Sequence, residues 1–236
     1  MTTMSDTGPR YAIYFAPDAT LPLWRFGSAV LGYDADTGED VDILPALNRA
    51  WPNWSQLTAE PRKYGFHATL KAPFRLRSGA TEAQVLAVAK ASAQQTHGCA
   101  LQGLSVATLG RFVALVPVGD VAPLQALAAR VDDAFEDLRA PLSEADRSRR
   151  LKSSLTRAQT YYLDTYGYPY VHDEFRFHMT LTGGLPAEML PAVRSRLASL
   201  YAGIADTGPI TVGSLTVFRQ DHSAQRFRII ARLALL

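Results

Sequence analysis

FHATL at residues 66–70 returns as FHMTL at residues 177–181, with one internal change. On an extended strand, successive side chains point to opposite faces. His67 and Thr69 then share one face, with Phe66, Ala68 and Leu70 on the other; His178 and Thr180 stand in the same way against Phe177, Met179 and Leu181. The apolar face packs on helices and the His-Thr face points elsewhere. A threonine alternating with apolar residues is ordinary β-chemistry, and a single strand histidine is usually packed or solvated. Two copies, one per half of a 236-residue chain, are hard to obtain from packing alone. They read as two half-sites meeting across a cleft.

The elements around the two copies repeat in outline. YAIYFAP (11–17) is a β-rich run ended by Pro17, and 66–76 predicts the first motif strand. Residues 18–63 read as an irregular excursion with short helices that brings Trp24, Trp51 and Trp54 onto the core. A helix is expected over 81–98, with Thr81 as N-cap and Gly98 as stop, then strands near 100–107 and 111–118. Residues 121–140 form an amphipathic helix with Leu124, Leu127, Ala128, Val131 and Phe135 on one face. Residues 142–167 are polar and helical up to Gly167; 175–185 predicts the second motif strand and 187–201 a helix. A hairpin of 209–220 and 225–236 closes the chain. Motif strand, helix, two antiparallel strands, twice over, points to an α+β fold. We expect two pseudo-symmetric lobes, each an antiparallel sheet with helices on its outer face, around a central cleft. They make one two-lobed domain over 1–236, with approximate halves 1–120 and 121–236, strands free to exchange between them, and a flexible start at 1–9.

Bulk properties narrow the function classes. With 47% apolar and 19% charged residues, the chain can build a sizeable core. A formal charge of +2, from 24 basic and 22 acidic residues, gives a nucleic-acid partner little support. Cys99 is the single cysteine, so neither an internal disulfide nor a cysteine zinc site is available. With no secretory pattern and no run of 18 apolar residues, a cytoplasmic location without membrane contact is expected.

Two facing imidazoles suit phosphodiester cleavage. One, neutral, takes a proton from the attacking water; the other, protonated, gives one to the departing oxygen. An ordinary histidine pKa near ~6.5 lets both forms coexist close to neutrality. The threonine hydroxyls can donate to the non-bridging oxygens as charge grows there. No metal or cofactor is expected, since neither His-x-His nor HExxH occurs.

The two His-x-Thr copies resemble the 2H phosphoesterase superfamily. KYGFHATLKAPF (63–74) and GYPYVHDEFRFHMTLTGGL (167–185) look like its DUF1045 branch of putative phosphonate-metabolism proteins. RYAIYFAP near the start, LGYDADTG at 31–38 and the RR…LT…Q pattern at 149–159 agree, so the resemblance covers nearly the whole chain. It implies His67 and His178 as an acid–base pair, Thr69 and Thr180 as phosphate ligands, and a small phosphorylated sugar or nucleotide as partner. The branch's association with phosphonate breakdown points to 5-phosphoribosyl 1,2-cyclic phosphate, opened to ribose 1,5-bisphosphate. A 2′,3′-cyclic nucleotide or RNA-end phosphodiesterase is the alternative enzyme, and a non-catalytic cyclic-phosphate binding protein the alternative class.

Other residues stay open on sequence grounds. Lys71, four past His67, would share its face and either neutralise a phosphate or end the strand in solvent. Tyr14 and Tyr168, with Tyr170, either close over a sugar or pack the core. Arg147, Arg149, Arg150 and Arg157 form a basic stretch suited to a solvated face or to a second phosphate. His97, His172 and His222 read as structural or solvent-facing.

Overall fold

The structure, a computed structural model, describes residues 8–152, 154–204 and 210–236. Of the start expected to be flexible, residues 1–7 therefore lie outside the described residues.

Seven antiparallel strands form the main sheet. In chain order they are β1 (Arg10–Phe15), β2 (Ala68–Arg75), β4 (Leu104–Leu109), β5 (Phe112–Pro117), β6 (Met179–Thr180), β8 (Ser214–Gln220) and β9 (Arg228–Ala234). Their spatial order is β4-β5-β6-β2-β1-β8-β9. Two short strands, β3 (Cys99–Leu101) and β7 (Ile210–Val212), pair separately. The α+β class and the antiparallel pairing are as expected. The two lobes, however, share one sheet: β2 and β6 are hydrogen-bonded neighbours through Ala68 and Met179. The hairpins also cross over, since β4-β5 lies beside the second motif strand and β8-β9 beside β1, next to the first.

Three helices cover the sheet. Helix α5 (Glu82–Ala93) packs on β8 and β9, α6 (Ala122–Ala134) on β2, and α9 (Leu190–Ala202) on β4 and β5. Leu124, Leu127, Ala128, Val131 and Phe135 are all buried, as the periodicity of α6 requires. Thr81 caps α5 in a reciprocal capping box with Gln84. That helix stops at Ala93, well short of Gly98. Gly98 instead serves a close approach: a Cβ there would stand 2.9 Å from the Val212 carbonyl oxygen, where the chain enters β3 and its pairing with β7.

Short helices fill the excursion: α1 (Pro22–Leu31), α2 (Pro45–Ala50), α3 (Trp54–Leu57) and α4 (Ala59–Arg62). Trp24 and Trp54 are fully buried, and Trp51 packs partly against the core. Gly27 of α1 lets the Phe66 ring lie close against the helix backbone; a Cβ there would meet that ring at 2.1 Å. The residue before His67 is thereby pinned. The polar segment forms α7 (Glu144–Arg150) and α8 (Arg157–Tyr166), the latter capped by Thr156 with Gln159 and ended by left-handed Gly167.

Candidate active site

The single ladder pair between β2 and β6 sets the geometry. Ala68 lies opposite Met179, and both are fully buried on the apolar face. One step either side of that pair, antiparallel register sets His67 toward Thr180 and Thr69 toward His178, on the other face. The half-sites interlock rather than merely face each other.

Both histidines are held by the same bond. His67 Nδ1 lies 2.9 Å from the Gly65 carbonyl and His178 Nδ1 2.8 Å from the Arg176 carbonyl, each acceptor two residues upstream. A carbonyl accepts only from N–H, so the neutral rings carry their proton on Nδ1 and leave Nε2 bare. The Thr69 hydroxyl stands 3.3 Å from His67 Nε2. The Tyr14 ring stacks on His67 with centroids 3.7 Å apart and planes at 16°. His178 rests beside Phe112, with centroids 5.7 Å apart. Burial lowers the His67 pKa to about 4; the Gly65 bond works against that fall and the neighbouring charge of His178 adds to it. Burial lowers His178 as well, against its Arg176 bond.

A cleft of about 450 Å³ opens over this face, with His67, Thr69, Thr180 and Tyr14 on its wall. His178 stands beside the cavity rather than on its wall, against Phe112, which does line it. Tyr168 is a wall residue with Tyr170 edge-on at 5.5 Å, while Tyr170 itself is 43% exposed and not on the wall. Tyr14 therefore both packs and lines the site: it is 1% exposed, and burial raises its phenol pKa well above the usual value.

Lys71 is not in the cleft. It is 2% exposed, and its ammonium donates to the Asp132 carbonyl and Asp132 Oδ1, both at 3.0 Å, and to Glu136. The cause is a β-bulge. Tyr14 pairs with Thr69 but Ile13 with Lys71, so Leu70 is an extra residue and the alternation counted from His67 breaks there. Thr182, at the matching place after the second motif, does reach the cleft wall. Its hydroxyl accepts from the Val113 amide and donates to the Gly183 carbonyl, both at 3.0 Å.

Of the basic stretch, Arg149 and Arg150 line the cleft, whereas Arg147 pairs with Asp164 at 2.7 Å and Arg157 is exposed. Sequence reasoning passed over Arg10, Tyr64 and Phe112, which also form the wall. Arg10 carried a signal: it precedes Tyr14 by four residues on one unbroken strand, hence on the same face. Tyr64 sits in the turn after α4 and Phe112 at the start of β5, and no local pattern announces their approach. His97 and His222 are exposed, and His172 Nε2 lies 3.4 Å from Asp133, away from this cleft. Among the described residues, no three His, Cys, Asp or Glu side chains gather as metal ligands would.

This is an antiparallel α+β protein with two interlocked His-Thr pairs on one face of its sheet. Residues 69–228 match the family described as "Protein of unknown function (DUF1045)", and the chain belongs to that family. It is 35% identical over 228 residues to "Ribose 1,5-bisphosphate phosphokinase PhnN" of Janthinobacterium sp. (strain Marseille), covering 94% of this chain and 50% of the relative. The protein of the same name from Laribacter hongkongensis (strain HLHK9) is 33% identical, over 96% of this chain and 52% of its own length. The chain thus spans about half the length of the curated relatives it matches. Among solved structures, E. coli LigT complexed with 3′-AMP is similar over 96% of this chain and 97% of its own, at 16% identity and TM-score 0.46. TT0787 of Thermus thermophilus is similar over 96% and 97%, at 13% identity and TM-score 0.44. Likenesses that loose say nothing of chemistry.

Proposed function

We propose that this chain is a metal-independent cyclic phosphodiesterase of the 2H type, opening a small cyclic phosphate by paired histidine catalysis. One observation carries the reading: the Nδ1 of both motif histidines bonds the carbonyl two residues upstream, leaving two Nε2 atoms on one sheet face with a threonine beside each. Packing alone has no use for that arrangement twice.

The reaction follows from those atoms. A neutral Nε2 takes a proton from water, whose oxygen attacks phosphorus; the ring P–O bond breaks as the other imidazolium gives its proton to the leaving oxygen. Thr69 and Thr180 donate to the non-bridging oxygens, whose charge grows in the transition state. His67, with its pKa pulled down to about 4, is unprotonated at neutral pH and suits the base role. His178 then takes the acid role, its proton stabilised by the phosphate anion once substrate binds.

The relatives' name fits one particular substrate. Opening 5-phosphoribosyl 1,2-cyclic phosphate yields ribose 1,5-bisphosphate, the compound named in the relatives' phosphokinase activity. A chain matching half of each relative would supply the step before the kinase, in the phosphonate breakdown that the family resemblance suggests. A phosphokinase reading of this half has less support, because no GxxxxGK[ST] phosphate loop occurs in the sequence. Cyclic nucleotides remain the second substrate class, favoured by the aromatic wall of Tyr64, Phe112 and Tyr168, which offers ring faces to a base.

The test is turnover by chelator-treated protein of 5-phosphoribosyl 1,2-cyclic phosphate and of 2′,3′-cyclic nucleotides, followed by phosphorus NMR. Conversion of the first to ribose 1,5-bisphosphate without added metal is expected. Hydrolysis of neither, or activity restored only by one specific metal, overturns the proposal.

A further inference from the structure

The cleft carries more positive charge than its reacting end uses. Arg10, Arg149 and Arg150 all stand on its wall, beyond the His-Thr pairs. Arg149 is committed to Asp146 and largely exposed. The other two are not neutralised: among the described residues neither Arg10 nor Arg150 forms an ion pair with a carboxylate.

Arg150 is the last residue of α7. Its guanidinium lies 5.2 Å over the Tyr168 ring, and its Nε is buried with no hydrogen-bond partner. A buried guanidinium N–H left unpaired is costly, which argues for a ligand that accepts from it. Arg10 approaches from the end of β1, where Nε donates to the neutral Gln220 side chain at 2.8 Å. Its guanidinium sits 5.3 Å over Phe227, Phe227 stacks on Tyr64 at 5.4 Å, and Tyr64 lies 6.3 Å from His67. A run of rings thus ties Arg10 to the reacting end. Along the strand Arg10 is about 13 Å from Tyr14, roughly a sugar's length once the side chain reaches back. Glu60, the acidic group on the wall, is already paired with Lys63 at 2.7 Å.

We propose that Arg10 and Arg150 form an anion subsite for a second, non-reacting phosphate. The cleft thereby selects cyclic phosphates that carry a phosphate monoester elsewhere on the sugar. This rests on the phosphodiesterase reading of the same cleft and sharpens it to a substrate class. Guanidinium is the group suited to the task, because its planar donors match phosphate oxygens in pairs. Lys71, on the motif strand itself, is locked to Asp132 and Glu136 and cannot contribute.

The experiment compares kcat/KM for 5-phosphoribosyl 1,2-cyclic phosphate with that for ribose 1,2-cyclic phosphate, in wild type, Arg10→Met, Arg150→Met and Arg150→Lys. Wild type should favour the phosphorylated substrate by about a hundredfold, as two charge-assisted contacts allow. Each methionine variant should lose at least about tenfold of that preference, with Arg150→Lys intermediate. A second arm measures binding of ribose 5-phosphate by calorimetry in wild type, the arginine variants and His67→Ala. Binding should weaken about tenfold in either methionine variant and persist in His67→Ala. If no cyclic phosphate is turned over but ribose 5-phosphate binding depends on the arginines, the phosphodiesterase reading falls and the subsite stands. A wild-type preference near one, or ribose 5-phosphate binding indifferent to both arginines, overturns the subsite.

Discussion

Ala68 and Met179 lie directly opposite each other, the one pairing between β2 and β6. Through it, two segments 111 positions apart in sequence bring their histidines to one face. His67→Ala and His178→Ala should therefore each cut turnover by at least about a hundredfold, as general acids and bases typically contribute ~10²–10⁴-fold. The double variant should lose less than the product of the two effects, because the pair works as a unit. Thr69→Val and Thr180→Val should lose less, each removing one donor while proton transfer continues. Steady-state kinetics on the cyclic substrate decide this; near-normal turnover in either histidine variant removes the paired site.

The depressed histidines make a pH prediction with a definite sign. In the unfolded chain a histidine binds its proton near ~6.5, whereas folded His67 does so at about 4. Between those values the unfolded state holds more protons, so His67's contribution to stability is full above pH ~6.5 and falls as pH drops toward about 4. Urea midpoints measured from about pH 7 down to about 4.5 should fall more steeply for wild type than for His67→Asn. An anion bound at the site raises the affinity of a histidine for its proton, so phosphate binding near neutral pH should take up a proton. Calorimetry in buffers of differing ionisation enthalpy reads that uptake directly; zero uptake contradicts the acid role of either histidine.

Lys71 bears on stability rather than chemistry. Removing it leaves Asp132 buried, with Oδ2 already lacking a partner. Burial raises the Asp132 pKa, and Lys71 is the chief influence opposing that rise. Lys71→Met should cost about 3–5 kcal/mol of stability, a large share of a typical ~5–15. Turnover per folded molecule should persist below the melting transition. Lys71→Met combined with Asp132→Leu should recover part of the loss, since no lone charge then remains buried. Loss of activity without loss of stability would return Lys71 to the site.

Lys71 also marks where the sequence stops being readable. Alternation puts His67 with Thr69, and His178 with Thr180, because it needs only neighbours along the chain; that the two pairs share one face depends on the Ala68–Met179 pairing. The bulge at Leu70 depends on how many residues of β1 lie opposite, which no local pattern reports. The same limit explains Gly98, whose place is set by the Val212 carbonyl across β3 and β7 rather than by its own helix. The capping boxes at Thr81 and Thr156 are local devices of four residues, and at Thr81 the cap was legible. Arg10 was legible in principle from its spacing to Tyr14. Tyr64 and Phe112 were not, because only the assembled sheet brings those two segments together.

The Gly65 carbonyl fixes the tautomer of His67. The Gly65 backbone is left-handed, with φ 76°, and a Cβ there would stand 2.6 Å from the Ala35 Cβ. Gly65→Ala must therefore either strain the backbone, at roughly 1–2 kcal/mol, or move the chain away from Ala35. Moving it shifts the 2.9 Å bond to Nδ1 and lets the ring turn on its Tyr14 stack. We expect lower stability together with a fall in kcat of about tenfold or more, at little change in KM, because the phosphate-holding hydroxyls stay in place. Ring nitrogen chemical shifts should report the cause: wild-type His67 with its proton on Nδ1, and the variant with a mixture of tautomers. Gly65→Ala with unaltered tautomer and full kcat would mean that the Gly65 carbonyl does not position the base, and that Tyr14 alone holds His67.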